Sequence, residues 1–262
     1  MAELTSLARV ISYAGVWMAL ESPASRRIRI TLAYDGTEFH GWQVQPGLST
    51  IQGALEDIVS EIEGARVHVA GSGRTDAGVH ALAQVAAFNL TNPIPPENLQ
   101  KAINRWLPPS VRILHVEETR PDFHPRFDAV AKTYRYTLYR GEICPPLESR
   151  FLHHHPYKLD EEKMAQSALC FIGTHDFGVF AAKDDHLVER SKVRTIFNSD
   201  LTREGDYLRY TVRGNGFLKH MVRNLVGTLI EAGRGNVPCD LIPHRSGATV
   251  PARGLTMVSV EY

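Results

Sequence analysis

"RIRITLAY", residues 27–34, is the stretch that decides the fold class. Apolar side chains at every second position, from Ile28 to Tyr34, alternate with polar ones, which is the period-2 pattern of a half-buried β-strand. Asp35 and Gly36 then favour a turn. Further strands are predicted at 67–70, 84–89, 111–118, 132–141, 207–214 and 254–262.

Helix signals are fewer than strand signals. Residues 49–52, Ser-Thr-Ile-Gln, match a capping box, and apolar residues then recur at helical spacing as far as Ile62. A second helix is predicted at 93–107, where prolines begin the segment. A third is expected at 161–173, capped by Asp160 and closed by Gly173, and a fourth at 217–233, which carries one apolar stripe.

The excess of strands over helices favours an α+β fold, in which helices pack on a mixed or antiparallel sheet. The order strand, helix, strand occurs in both parts of the chain. We therefore expect two similar α/β halves, residues 27–122 and 123–262, with a cleft between them.

Composition sets wide limits on function. The 262 residues include 29 Lys and Arg and 29 Asp and Glu, so the formal net charge is zero and any nucleic-acid interface must be a local patch. The three cysteines form no C-x-x-C pair, which disfavours a disulfide framework and a cysteine zinc site. A reducing cytoplasm is the simplest expectation.

Residues 1–26 are apolar in part but lack the clear pattern of a signal peptide, and the apolar run is too interrupted to span a membrane. We expect a disordered leader or a start-site artefact there.

The loop "GSGRTDAGVH", residues 71–80, is the main candidate for chemistry. It matches neither common phosphate-binding glycine motif. One interpretation is an ordinary turn in which Gly71, Gly73 and Gly78 adopt positive φ. The other is that Arg74 projects beside Asp76 and keeps its carboxylate ionised as a nucleophile. Local physics leaves both open.

The same loop, extended to "GSGRTDAGVHALAQVAAF", resembles the signature of the TruA-type tRNA pseudouridine synthases. Five further blocks resemble that family in the same order: "YDGTEFHGWQ" (34–43), "DFHPRFDAVAKTYRYTLY" (122–139), "GTHDFGVF" (173–180), "GNGFLKHMVRNLVGTLIEAG" (214–233) and "PARGLTMVSVEY" (251–262). The resemblance covers nearly all of residues 27–262 and implies the pseudouridine synthase fold.

By this resemblance Asp76 is the nucleophile, attacking C1′ or C6 of a uridine, and no cofactor or metal is implied. Tyr134 matches the family's active-site tyrosine, which could stack on the base or assist a proton transfer, although a strand aromatic in the core is the plain alternative. Arg223 matches the basic residue that pairs with the aspartate, although a solvated helix arginine is also possible.

Three further residues are assigned to substrate binding by the resemblance. Arg74 could pair with Asp76 or enter the RNA helix in place of the flipped nucleotide. Arg126 resembles a family arginine near the flipped base, with His124 beside it. A basic side for the tRNA backbone could be formed by Arg26, Arg27, Arg29, Lys132, Arg135, Arg140, Lys219 and Arg223.

The expected partner is the anticodon stem-loop of tRNA, at positions 38 to 40, gripped by a homodimer. The alternative is a tRNA-binding or RNA-folding paralogue without turnover. Two departures from the family pattern are Gly178, where many relatives carry a small hydroxyl residue, and a segment at 236–250 that is short and lacks a convincing helix. The run His153-His154-His155 invites a metal interpretation, but adjacent residues do not converge readily on one ion.

Overall fold

The computed structural model describes residues 24–182, 191–237 and 246–262. Within these ranges the chain forms ten strands and four α-helices. The strands are β1 (Arg26–Tyr34), β2 (Ala70–Gly71), β3 (His80–Leu90), β4 (Val111–Thr119), β5 (Ala131–Tyr139), β6 (His153–His154), β7 (Gly173–Asp176), β8 (Val193–Glu204), β9 (Tyr207–Gly214) and β10 (Leu255–Glu261). The expected leader and much of the short 236–250 segment lie outside the described residues.

All ten strands belong to one sheet with the order β4-β1-β3-β10-β5-β9-β8-β7, to which β2 adds on β3 and β6 on β5. Every pairing is antiparallel except β10 with β3 and β5 with β6. The prediction of an α+β fold with a mainly antiparallel sheet is confirmed. The boundary between 122 and 123 stays a prediction, and the sheet itself runs without interruption across it.

The final strand β10 joins the two parts of the sheet. It pairs with β5 over Leu255–Glu261 and with β3 at Thr256 and Met257 only. The amino end of β3 therefore lies beside β10 and one strand away from β5, so the loop that precedes β3 is held over the middle of the sheet.

The helices are α1 (Ile51–Glu63), α2 (Pro96–Trp106), α3 (Glu161–Leu169) and α4 (Met221–Gly233). Helix α2 packs on β4 and α1, whereas α3 packs on β8 and α4, and α4 also contacts β5. In α4, 11 of the 13 residues are buried, so its first turn has little freedom to move.

The start of α1 differs from the predicted capping box. Thr50 is the N-cap, and its hydroxyl accepts a hydrogen bond from the backbone N–H of Gly53 at 3.2 Å. Glycine at the third helical position cannot return the reciprocal bond of a capping box. Gln52, which the box would use, instead accepts from the backbone of Val44 and donates to Glu56.

Strand predictions failed where the sequence lacks clear alternation. The strand expected at 67–70 is reduced to Ala70–Gly71, and β7 and β8 were missed. Gly173 does not close α3, which ends at Leu169, and with φ +113° it begins β7. The long strand β8 has mostly exposed or half-buried side chains, so packing imposes little period-2 pattern on it.

Candidate active site

The loop between β2 and β3 carries Asp76 on a tight turn. The backbone N–H of Val79 donates to the carbonyl of Asp76 at 3.1 Å, and Gly78, the third residue of this turn, has φ +78°. A type II turn requires positive φ at that position. Gly78 alone among the three loop glycines has positive φ, so the expectation for Gly71 and Gly73 was wrong.

Gly71 is needed for space. A Cβ atom at this position would lie 2.5 Å from the indole ring of Trp42, which is buried. The glycine therefore lets the strand lie flat against the ring, and the backbone N–H of Trp42 donates to the carbonyl of Thr75 at 3.0 Å. Trp42 thus contacts the loop at both ends of 71–75.

Side chains from the sheet fix the rest of the loop. The amide of Gln84 donates to the carbonyl of Gly73 at 3.0 Å, and the hydroxyls of Tyr34 and Thr75 lie 2.8 Å apart. Burial raises the pKa of Tyr34 to about 12, so this phenol remains protonated at neutral pH. The loop is thereby a rigid support for the one acidic side chain it carries.

The carboxylate of Asp76 meets two residues at the start of α4. Nη1 of Arg223 lies 3.2 Å from Oδ2 of Asp76, and Nε of the same guanidinium donates to the carbonyl of Val250 at 2.8 Å. The Asp76 side chain is 26% exposed and that of Arg223 is 15% exposed, so the pair is partly screened from water but still accessible. The guanidinium thus holds the carboxylate of Asp76 in one orientation at the mouth of the site.

His220 is the second contact of Asp76, and sequence reasoning missed it. Its Nε2 lies 3.5 Å from Oδ2 of Asp76, and it is the N-cap of α4 with φ +61°. Positive φ in a non-glycine residue is uncommon and often marks a functional constraint. The available signal was its spacing of three residues from Arg223, which places both near one face of a first helical turn.

Tyr134 lies on β5 beneath this loop. Its ring is 7% exposed and stands edge-on to Phe217, with 5.1 Å between ring centroids. Burial, with smaller effects from Tyr34 and Asp76, raises the pKa of Tyr134, so its phenol is neutral. Within the described residues its hydroxyl forms no hydrogen bond, and it lies 4.0 Å from where a Cβ of Gly73 would stand.

Tyr136, two residues further along β5, is an aromatic residue with a purely structural role in the core. It is fully buried, and its hydroxyl donates to the carbonyl of Pro251 at 2.8 Å. The two tyrosines of "TYRY" therefore differ in a way that matters for chemistry. Tyr136 has a satisfied hydroxyl, whereas that of Tyr134 is available beside Asp76.

Comparison with known proteins identifies the family to which the chain belongs. A family model described as tRNA pseudouridine synthase matches residues 30–128 and 168–262, a region that includes Asp76 and Arg223. The chain belongs to the tRNA pseudouridine synthase family. The resemblance stated from the sequence is confirmed, and with it an enzyme of the isomerase class.

Individual relatives support this family membership. The chain is 67% identical over 240 residues to the tRNA pseudouridine synthase A of Solibacter usitatus (strain Ellin6076), covering 90% of this chain and 100% of the relative. It is 40% identical over 247 residues to the protein of the same name from Brevibacillus brevis (strain 47), with 90% and 100% covered. A further such protein, from Acetivibrio thermocellus, is 39% identical over 245 residues with the same coverage.

In this member of the family, Arg74 does not stand beside the nucleophile candidate. Arg74 is exposed, and across the described residues no ion pair joins it to Asp76. The expected pairing along the loop was wrong, because the turn directs Asp76 toward Arg223 instead. A role of Arg74 toward RNA stays a prediction.

His124 and Arg126 lie on the turn that precedes β5. Nδ1 of His124 accepts from the backbone N–H of Arg126 at 3.1 Å, and its ring packs on Phe127 with centroids 4.2 Å apart. The guanidinium of Arg126 lies 5.8 Å from the Phe127 ring centroid and is exposed. His124 thus shapes the turn, and a role of Arg126 toward the substrate stays a prediction.

The predicted basic side is weaker than its eight members suggested. Arg26, Arg29 and Arg140 form ion pairs with Glu118, Glu117 and Glu161 respectively. Arg223 pairs with Asp76. Lys132, expected at the surface, is 9% exposed and faces the loop instead. Its position two residues before Tyr134 could have predicted this, since alternate residues of a strand share a face.

The remaining sequence features are structural in these ranges. His153 and His154 form β6, and His155 is buried and accepts from Arg140. A Cβ on Gly178 would lie 2.9 Å from the carboxylate of Asp176, which makes a side chain there crowded. Among the described residues, no helix has the length and apolar content to cross a membrane.

Proposed function

We propose that this chain converts uridine to pseudouridine in the anticodon stem-loop of tRNA, at positions 38 to 40, with Asp76 as nucleophile and without a cofactor. The observation that carries the proposal is the Asp76–Arg223 ion pair at 3.2 Å beside the free hydroxyl of Tyr134. Family membership supplies the reaction class.

The reaction rearranges bonds without net oxidation or hydrolysis. The Asp76 carboxylate forms a bond to C1′ of the ribose or to C6 of the base, and the bond between N1 and C1′ breaks. The uracil turns, C5 bonds to C1′, and the carboxylate is released. The proton on C5 leaves and N1 takes up a proton, so the product is an isomer of the substrate. Arg223 orients the nucleophile until it attacks.

Tyr134 is suited to donate a hydrogen bond while it keeps its proton. Its raised pKa keeps the phenol neutral, so its O–H can donate a hydrogen bond to a carbonyl of the displaced uracil. Arg74 and Arg126, both exposed, would meet the RNA around the flipped nucleotide. The base must enter beside a ring that is mostly covered by Phe217, so substrate binding is expected to open this contact.

The proposed partners follow from charge and site. One subunit has zero formal net charge, and several of its arginines are neutralised by glutamates. A homodimer would supply a second basic surface to a tRNA backbone. The expected compartment is the cytoplasm. The 27–122 and 123–262 halves would each contribute to the site, Asp76 from the first and Arg223 from the second.

Tritium release from C5-labelled uridine in an unmodified tRNA transcript tests the proposal. Wild type and Asp57→Ala, a control at an exposed acidic residue of α1, should release tritium at equal rates. Asp76→Ala should release none while still binding tRNA. Absence of release by wild type with several tRNAs would refute the function. Full release by Asp76→Ala would refute only the nucleophile.

A further inference from the structure

Lys132 is buried directly under the loop of residues 71–80, which carries Asp76. It lies on β5 two residues before Tyr134, and its side chain is on the same face of the sheet. Its Nζ donates a hydrogen bond to the carbonyl of Ser72, and a Cβ on Gly73 would lie 3.4 Å from the same nitrogen. The ammonium thus contacts the loop four residues before Asp76.

This lysine has an environment that disfavours its charge. Within the described residues it forms no ion pair with a carboxylate. Burial, with smaller effects from the charges of Arg126 and Arg194, lowers the pKa of Lys132 to about 8. Keeping a buried cation among cations is costly for folding, so stability does not explain its presence.

We propose that Lys132 is a positioning residue, which holds the Ser72–Gly73 segment so that the Asp76 carboxylate stays against Arg223. This inference rests on the proposed function. Two adjacent carbonyls of the loop are held by side chains, that of Ser72 by Lys132 and that of Gly73 by Gln84. With the turn at Val79 closing the other end, the backbone around Asp76 is fixed on both sides.

Such support matters because nucleophilic attack tolerates little displacement. A misplacement of about 1 Å costs on the order of 100-fold in rate. Loss of the Lys132 contact releases the side-chain hydrogen bond to the Ser72 carbonyl, on the amino side of the loop. The expected effect is a slower chemical step with unchanged tRNA affinity, since the ammonium is beneath the loop and covered by it.

The experiment compares Lys132→Met with Lys101→Met, which removes an exposed lysine on α2. Single-turnover tritium release at saturating enzyme reports the chemical step, and filter binding reports the Kd for tRNA. Lys132→Met should be slower by about tenfold to 100-fold with Kd within about threefold of wild type. Amide hydrogen exchange of peptides covering 71–80, without tRNA, should accelerate in Lys132→Met alone.

The outcomes separate the alternatives. An unchanged single-turnover rate, or a loss confined to Kd, would overturn the positioning role, and the latter would assign Lys132 to RNA binding. If Lys132→Met does not fold, Lys132→Arg decides. Its longer side chain must displace the Ser72 carbonyl, so a rate reduced about fivefold is expected and a normal rate overturns the proposal. Wild-type inactivity would refute the proposed function. Amide hydrogen exchange of residues 71–80 would then still test whether Lys132 holds the loop.

Discussion

Replacement of Lys132 by methionine should raise the stability of the protein at neutral pH. The folded-state pKa of Lys132 is lowered from 10.5 to about 8, a difference of about 2.5 units. At about 1.36 kcal/mol per unit, the charged form is disfavoured in the folded state by about 3 kcal/mol. The variant leaves the Ser72 carbonyl without its donor, which costs about 1–3 kcal/mol. The net gain at pH 7 is about 0–2 kcal/mol.

The pH dependence of this difference has a definite sign. Below pH 8 Lys132 is protonated in both folded and unfolded chains, so the penalty is constant. Between pH 8 and 10.5 the unfolded chain binds the extra proton, so the free energy of unfolding of wild type rises with pH. The advantage of Lys132→Met therefore falls by about 3 kcal/mol across this window and reverses by pH 10.5.

Urea unfolding followed by tryptophan fluorescence at half-unit steps from pH 7 to 10.5 measures the difference. Subtracting the two proteins removes the titration of all other groups, and Lys101→Met controls for loss of one surface charge. A pH-independent difference would refute the buried, charge-disfavouring environment of Lys132. So would a loss of more than about 3 kcal/mol in Lys132→Met at pH 7, because the ammonium would then be stabilising.

Four further substitutions test the site, its supports and the start of α1. Arg223→Gln should lower single-turnover tritium release by about 100-fold or more, because the shorter neutral amide no longer holds the Asp76 carboxylate in position. Near-normal release would remove its assigned role. Gly71→Val places a Cβ 2.5 Å from the ring of Trp42 and should lower the unfolding free energy by about 1–3 kcal/mol in urea titrations. Thr50→Ala should cost about 1 kcal/mol and Ser49→Ala almost nothing, whereas the capping-box interpretation expects the reverse.

Sequence patterns predicted those parts of the fold in which burial and spacing agree. In β1 the residues from Ile28 to Tyr34 are buried at every second position, as their alternation indicated. In β8 most side chains are exposed or half-buried, so its sequence shows no regular alternation of apolar and polar residues and the strand was not predicted. Cap position also escaped prediction, because both Ser49 and Thr50 are good cap residues and only the backbone decides between them.

For the site, the sequence predicted which residues take part but not which of them contact each other. Asp76, Tyr134 and Arg223 were predicted through the resemblance, and the structure brings all three together. The local argument that Arg74 accompanies Asp76 failed, since it treated the loop as extended although the backbone turns at Asp76. The spacing of three residues between His220 and Arg223 was a signal, but the direction of the His220 side chain also depends on a left-handed backbone conformation at that residue.

The location of the ion pair ties catalysis to the packing of one helix. Asp76 and Arg223 are 147 positions apart, so their contact exists only when α4 is seated against the sheet. Because 11 of the 13 residues of α4 are buried, it cannot shift without opening the core. The loop is held independently, through Tyr34 of β1 and Gln84 of β3. Nucleophile and cation are thus fixed by separate elements, Asp76 by a loop tied to the sheet and Arg223 by α4, so their separation depends on how the core holds both.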